Sequence, residues 1–508
     1  MTSQDRIERM EARIREAGEL ASDFARDPHR PAWHFTPPAA WMNDINGAIY
    51  WKGRHHLFYQ LNPEGAYWNR IQWGHASSAD LVHWVHHPVA LTPEADGPDR
   101  IGCFSGGALI DAEGVPTLIY YGNPGGLCLA RSRDDLLIEW TRDPDNPVIP
   151  QPQEGSPDFG RYTIHDPCGW LEGGLYYAAV NKRDPEGQGD AAYLFRSEDL
   201  RTWEFAGQLY ESRREWTEGG EDCAVPDFFP LGDRHMLLFC SHLQGTQYYI
   251  GRLRGERFHP DVHGRMSWEG GHLGGPRTLL DAGGRRIFFD WVRELRGVER
   301  ERASGWSGVM TAPRLLSLGP GRRLQIDPVP ELEVLRLDPR RLGSIDLAAD
   351  SEMHVEGIGG DCLELAVEFD PREAREVGLK LRRSPGGEEE TSVSWDSAAA
   401  VLRVDVSRST LDREIRYTRY RKPQPHLAAS EQYVTAQEGP LELARGEPLT
   451  LRIFLDRSIL EVFANRRQCV TQRIYPTRTD STGISLFAHG GEARVRSLQA
   501  WTLAPARM

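Results

Sequence analysis

One strand–turn–strand unit recurs along the first three fifths of the chain and restricts its fold more than any other feature. It reads GAIYWKGRHHLFYQ at 47–60, GALIDAEGVPTLIYYG at 107–122, GWLEGGLYYAAV at 169–180, DFFPLGDRHMLLFCSH at 227–242 and RTLLDAGGRRIFFDW at 277–291. In each, two apolar strands flank a short turn containing glycine, the pattern of a β-hairpin. A second unit falls between the hairpins. Ser78-Ala79-Asp80-Leu81, closing at Trp84, is echoed by Ser197-Glu198-Asp199-Leu200, closing at Trp203, and more loosely by Ser132 through Trp140. Self-similarity at a period of several tens of residues marks small sheets that bury their faces against their neighbours around a shared channel. The spacing predicts an all-β chain whose residues 30–338 form a five-bladed β-propeller.

The flanks read differently. Over residues 2 to 26, Ile7, Met10, Ile14, Ala17, Ala21 and Phe24 recur at three- and four-residue steps behind a Thr2/Asp5 capping box, which predicts a short N-terminal helix within an extension over 1–29. Its apolar stripe needs a partner, either the chain's own catalytic domain or a second copy in a homo-oligomer. Beyond Pro328, Pro330 and Pro339, the alternating segments CLELAVEFD, VLRVDVSRS, LTLRIFLDRSILEVFA and GISLFAHGG predict a β-sandwich over 339–508.

Charge narrows the partners. With 60 basic and 74 acidic residues, net −14, the chain lacks the cationic excess that nucleic acid or an anionic membrane surface selects. The seven cysteines are scattered and form no C-x-x-C pair, so neither a disulfide framework nor a thiolate metal site is implied. No stretch approaches the roughly 18 apolar residues of a membrane span, and the first residues show no apolar leader, so the expected compartment is the cytoplasm.

In a propeller, carboxylates placed just ahead of successive inner strands face one another although they lie far apart in sequence. Asp44 precedes the first hairpin, Asp166 the third and Glu221 the fourth. Any one of them is also explained as a turn former or a solvated charge, and Glu218, Asp222 and Asp227 compete with Glu221. The surroundings favour a site. Trp41, Trp68, Trp73, Phe104 and Trp291 bring rings to the same blade entrances, next to the directed polar groups Asn43, Gln60 and Ser105, a combination suited to a small sugar.

These residues carry a family resemblance that covers nearly the whole chain after residue 30. Trp41-Met42-Asn43-Asp44-Ile45-Asn46-Gly47, with HFTPP at 34–38 ahead of it, resembles the WMNDPNG signature of glycoside hydrolase family 32, the invertase, inulinase and levanase type, with Ile45 in place of proline. Phe58 to Pro63, Trp73 to Ala76, Phe104-Ser105-Gly106 and the segment 451–476 with Asp456, Ser458, Glu461 and Asn465 are similar to further family segments in the same order. Two departures stand out. His165-Asp166-Pro167 replaces the family's Arg-Asp-Pro, and extra residues separate Glu221 from Pro226-Asp227 where the family has Glu-Cys-Pro-Asp.

The resemblance implies a retaining hydrolase that releases terminal β-D-fructofuranosyl units from sucrose or short fructans without metal or organic cofactor. In that scheme Asp44 is the nucleophile, Glu221 the acid/base and Asp166 the transition-state stabiliser, with Trp41, Asn43, Gln60, Trp68, Phe104, Ser105, His165 and Trp291 binding substrate. A fructosyltransferase of the same fold, including one that closes a difructose anhydride, a non-catalytic fructan-binding protein and a pentofuranosidase remain as alternatives. Asp222 remains an alternative to Glu221 as acid/base.

Overall fold

The repeated hairpins become the two innermost strands of successive sheets. A computed structural model describes residues 24, 26–181, 190–212, 214–271 and 273–506. The helix expected over 2–26 lies outside the described residues except at its end, and so does any pairing of copies through it.

Five antiparallel sheets follow one another along the chain. Their inner strands are Ala40–Trp51, Gly102–Ile110, Cys168–Glu172, Ala224–Leu231 and Arg277–Leu280, each paired with the second strand of its own hairpin. The Ser-x-Asp-Leu unit is the turn from the third strand to the fourth. In blade one, Asp80 Oδ1 accepts the Val82 and His83 amides at 3.0 and 2.8 Å, and the Trp84 indole donates to the Leu81 carbonyl at 3.2 Å. Blade three repeats the arrangement with Asp199 and with Trp203 donating to Leu200, and blade two keeps the Trp140-to-Leu137 bond. Leu81, Leu137 and Leu200 all take the left-handed conformation, with φ of 65°, 58° and 66°, so the sequence repeat is a repeat of backbone geometry.

Burial between neighbouring blades holds the ring. Ile49, Phe58 and Trp73 pack on Leu118, Tyr120 and Cys128 between blades one and two, and Ile119 and Leu129 meet Tyr176 and Phe195 between two and three. Blade one is extended by a parallel strand from late in the chain, Trp306–Ser307, which pairs with Ala40–Trp41 and helps close the ring.

Arg277 spans the channel. Its guanidinium is buried and donates to the carbonyls of Gly106 at 3.1 Å, Pro167 at 3.2 Å and Pro226, so one side chain of blade five ties the inner strands of blades two, three and four. At the far end of the inner strands a cavity of about 520 Å³ is lined by residues of all five, among them Tyr50, Leu109, Trp170, Phe228 and Leu279. The candidate carboxylates lie at the opposite ends of the same strands.

The sandwich consists of a seven-stranded and a six-stranded sheet. Its strand Arg336–Leu342 pairs with Ala493–Leu503 and straddles the junction expected at 338/339, because the alternation of that short, exposed strand is too weak to read before its partner is known. Polar contacts bind the two domains. Arg314 and Glu461, both fully buried, meet at 2.9 Å, and Asp456 accepts the amides of Ala32, Trp33 and His34 at 2.6, 3.0 and 2.9 Å. Ser458 donates to the His29 carbonyl, and Asn465 Nδ2 donates to that of Pro448 at 2.9 Å, so these residues hold backbone.

Candidate active site

Three inner strands are irregular near the ends that carry the candidate carboxylates. Register shifts fall between Met42 and Ile45, between Cys103 and Gly106 and between Ala224 and Asp227, and bulges of this kind re-aim side chains beside functional sites. The first places Asp44 at the mouth of the channel, and the second places Ser105 against it.

A directed hydrogen-bond relay fixes Asp44. The Trp41 indole donates to Asn43 Oδ1 at 3.0 Å, Asn43 Nδ2 donates to Gln60 Oε1 at 2.7 Å, Gln60 Nε2 donates to Ser105 Oγ at 2.6 Å, and Ser105 donates to Asp44 Oδ2 at 2.7 Å. Asn43 Nδ2 also lies 3.1 Å from Asp44 Oδ1. An indole can only donate, so it sets the direction of the whole chain and leaves Asp44 a pure acceptor. Its backbone is clamped from blade five, since the Ile45 amide donates to the Gly275 carbonyl at 3.1 Å. A Cβ on Gly275, whose φ is +92°, would fall 2.6 Å from Asp44 Cα, so only glycine fits there.

Asp166 enters the same mouth from blade three with φ at +47°, a left-handed conformation that aspartate tolerates better than most residues. Burial, and then the charge of Asp44, pushes its carboxyl up to about 7 against the pull of His242 and Arg277. His165 beside it meets Tyr121 edge-on with ring centroids 4.7 Å apart.

The rim has two aromatic sides. Trp68, 55% exposed, meets Phe104 at 5.9 Å, and Phe104 meets Tyr121 at 5.7 Å, forming a row from blade one to His165 of blade three. Opposite, Trp41 and Trp291 meet at 5.9 Å, and the guanidinium of Arg421 lies 5.7 Å from the Trp291 ring. Trp73 is not part of either side. It is fully buried with its indole on the Phe104 carbonyl at 2.9 Å, so of the tryptophans expected near the site it is a core residue.

Glu221 and Asp222 turn in different directions. Glu221 is enclosed, its Oε1 accepting the Glu218 amide at 2.9 Å and its Oε2 the side chain of Gln247, a residue of the third strand of blade four, with Arg265 of the fourth strand 3.9 Å away. Burial raises its pKa. Asp222 instead pairs with His242, whose amide donates to Oδ1 at 2.8 Å and whose Nδ1 donates to Oδ2 at 2.7 Å. Burial works against the Asp222 charge, but the His242 bonds and then Arg421 hold its carboxyl below the ordinary carboxylate range. Adjacent in sequence, the two carboxylates thus have separate partners, Glu221 the Glu218 amide and Gln247, and Asp222 the amide and ring of His242.

Contacts trace the mouth from Asp44 round to this pair. Gly275 abuts Asp44, and Gly274 abuts Arg421, whose Nη1 donates to Cys240 Sγ at 2.5 Å. Cys240 pairs across the ladder with Ala224, and Asp222 and His242 lie two residues beyond that last pair. Sequence reading missed Arg277, Arg421 and Tyr121. His242 was visible only as the last residue of the fourth hairpin.

Comparison with known proteins agrees with this architecture. The family model described as glycosyl hydrolases family 32 N-terminal domain matches residues 34–328, and the family 32 C-terminal model matches 331–502. Sucrose-6-phosphate hydrolase of Escherichia coli is 32% identical over 93% of this chain and 94% of its own length, and levanase of Bacillus subtilis (strain 168) is 31% identical over 94% of this chain and 71% of its own. Among solved structures, fructan 1-exohydrolase IIa from Cichorium intybus superposes with a TM-score of 0.81 at 25% identity, over 95% of this chain and 98% of its own. The β-fructofuranosidase of Bombyx mori gives 0.74 at 26% identity, over 98% and 99%.

Proposed function

The chain belongs to glycosyl hydrolase family 32, and from that membership we propose that Asp44 and Asp166 carry out the fructosyl chemistry of this site. The protein is a glycoside hydrolase acting on β-fructofuranosides of the sucrose and fructan type. The observation that carries the assignment of roles is the relay ending on Asp44. It holds one carboxylate oxygen on Ser105 and the other on Asn43, each keeping a lone pair for the sugar, at a mouth lined by paired rings.

Asp44 attacks C2 of the terminal fructosyl unit while the glycosidic oxygen leaves with a proton, and water then displaces the enzyme ester with overall retention. The proton donor comes from the Glu221–Asp222 step of blade four. Asp166 holds the fructose hydroxyls. It faces Asp44 closely enough for the two charges to oppose each other, so positive charge developing on the ring is attracted from two sides. Trp68, Phe104, Trp41 and Trp291 supply apolar faces for the sugar rings, and His165 stands where the family's arginine stands, offering fewer donors to them. Among the described residues no helix is long and apolar enough to cross a membrane, and no group of carboxylate, histidine and cysteine side chains is arranged to hold a metal.

The test is chromatography of products from sucrose, short inulin-type and short levan-type oligosaccharides, with Asp44→Asn alongside. Free fructose, abolished in the variant, is the expected result. Larger or cyclic products identify a transferase, and a variant that keeps near-normal turnover removes Asp44 as nucleophile.

A further inference from the structure

We propose that Arg421, delivered to the mouth by the sandwich domain, binds the leaving-group sugar and so selects substrates in which fructose is joined to a second sugar. The inference rests on the fructosyl-transfer reading of Asp44 and Asp166, and it adds a residue for the unit on the other side of the scissile bond.

Arg421 lies on an arm of the sandwich between the paired strands Tyr417–Thr418 and Tyr433–Val434. Hydrogen bonds pin that arm to two blades of the propeller. The Arg421 amide donates to the Leu243 carbonyl at 3.1 Å, just past the second strand of blade four, and its carbonyl accepts Arg293 Nη1 at 2.6 Å from the segment that follows Trp291. The Gly270 amide donates to the Arg419 carbonyl at 3.4 Å, and Arg419 Nη1 reaches Glu269 at 2.5 Å. The guanidinium thus arrives on a backbone that is already fixed, which reduces the ordering cost when a ligand binds.

Its head group is placed but only partly engaged. Nη1 donates to Cys240 Sγ and, at 3.5 Å, to the Ser241 carbonyl. The Trp291 ring lies 5.7 Å away, and a Cβ on Gly274 would fall 2.5 Å from Cζ. Among the described residues, Nε and Nη2 have no acceptor and no carboxylate forms an ion pair with the group, although Arg421 is half-buried. Nε and Nη2 share one edge of a rigid planar fork, and that edge matches two neighbouring hydroxyl oxygens of a sugar ring.

Position decides which sugar it meets. The glycosidic oxygen takes its proton from the Glu221–Asp222 step of blade four, so the leaving group extends to that side of the fructose held by Asp44 and Asp166. Arg421 stands on the same side: Cys240, which it contacts, pairs with Ala224 two residues past Asp222, and its charge acts on Asp222. The charges of Asp44 and Asp222 are both felt at that Cys240 sulfur. A guanidinium among those carboxylates has its charge offset, which suits neutral hydroxyls better than a phosphate.

The experiment compares sucrose with methyl β-D-fructofuranoside. Both leaving groups need a proton, but only the first carries further hydroxyls. Arg421→Met keeps an apolar stem against Trp291 and removes every donor. It is expected to lose about tenfold to a hundredfold in kcat/KM on sucrose, the size of a hydrogen bond to a charged group, and under about threefold on the methyl glycoside. Gly274→Ala places its new Cβ against Arg421 atoms alone, so it displaces the guanidinium from outside and should show the same selectivity in smaller measure. Equal losses on both substrates, or unchanged sucrose turnover in Arg421→Met, overturn the proposal; if Arg421→Met does not fold, the ratio in Gly274→Ala decides in the same way. Asp44→Asn is measured in parallel: its inactivity beside an unselective Arg421→Met defeats this inference alone, whereas normal turnover by Asp44→Asn defeats the fructosyl-transfer reading as well.

Discussion

Replacing Asp290 by asparagine should give the protein a stability advantage over wild type that grows as the solution becomes more alkaline. Asp290 lies directly behind Trp291, is completely buried, and accepts the Trp291 amide at 2.8 Å. Burial pushes its carboxyl up to about 7 despite the pull of Arg314 and Arg421. A folded-state value above the unfolded one means the folded protein holds this proton more tightly. The contribution to stability is therefore complete below about pH 4 and is lost as pH rises through about 7. Between pH 5 and 8 the loss amounts to about 3 kcal/mol. Asparagine keeps the acceptor for the Trp291 amide and cannot ionise, so the stability of the variant relative to wild type should rise by about that amount over the interval. The assay is the denaturation midpoint of both proteins at several pH values from 5 to 8. Parallel pH profiles, or a variant that falls behind as pH rises, would refute the reasoning.

Two further outcomes follow from the site. Asp166→Asn should gain stability above pH 7 for the same reason while losing about 10²–10³-fold in kcat/KM, since a group that stabilises developing charge contributes on that scale; unimpaired turnover of sucrose would contradict the role given to Asp166. Trp68→Ala removes an exposed ring from the rim and should raise KM for short fructans by about three- to tenfold with kcat nearly unchanged, the size of one aromatic contact. A loss confined to kcat would place Trp68 elsewhere in the cycle.

The blades were legible because each is encoded locally, by a hairpin and, in the first three, by a Ser-x-Asp turn whose side-chain bonds close within a few residues. Asp44, Asn43, Gln60 and Ser105 were legible as a group because they sit in short segments that keep their order, although the direction of the relay emerges only from the fold. What escaped was non-local. Trp306–Ser307 joins blade one from more than 250 residues away, Arg277 finds carbonyls on three other blades, and Arg421 arrives from the sandwich. Trp73 shows the converse limit: tryptophan at a blade entrance suits a sugar platform and a core equally, and only its burial between Phe58 and Tyr120 decides. At Glu221 and Asp222 the sequence offers adjacent carboxylates, and only the fold gives them different partners, Gln247 for the first and His242 for the second.

The most direct test of the account is mass spectrometry of acid-quenched enzyme during turnover of an activated β-fructofuranoside. A fructosyl ester on the peptide spanning Trp41 to Gly47, localised to Asp44, is the result the account predicts. Steady turnover with that peptide unmodified and an adduct on another carboxylate would contradict it.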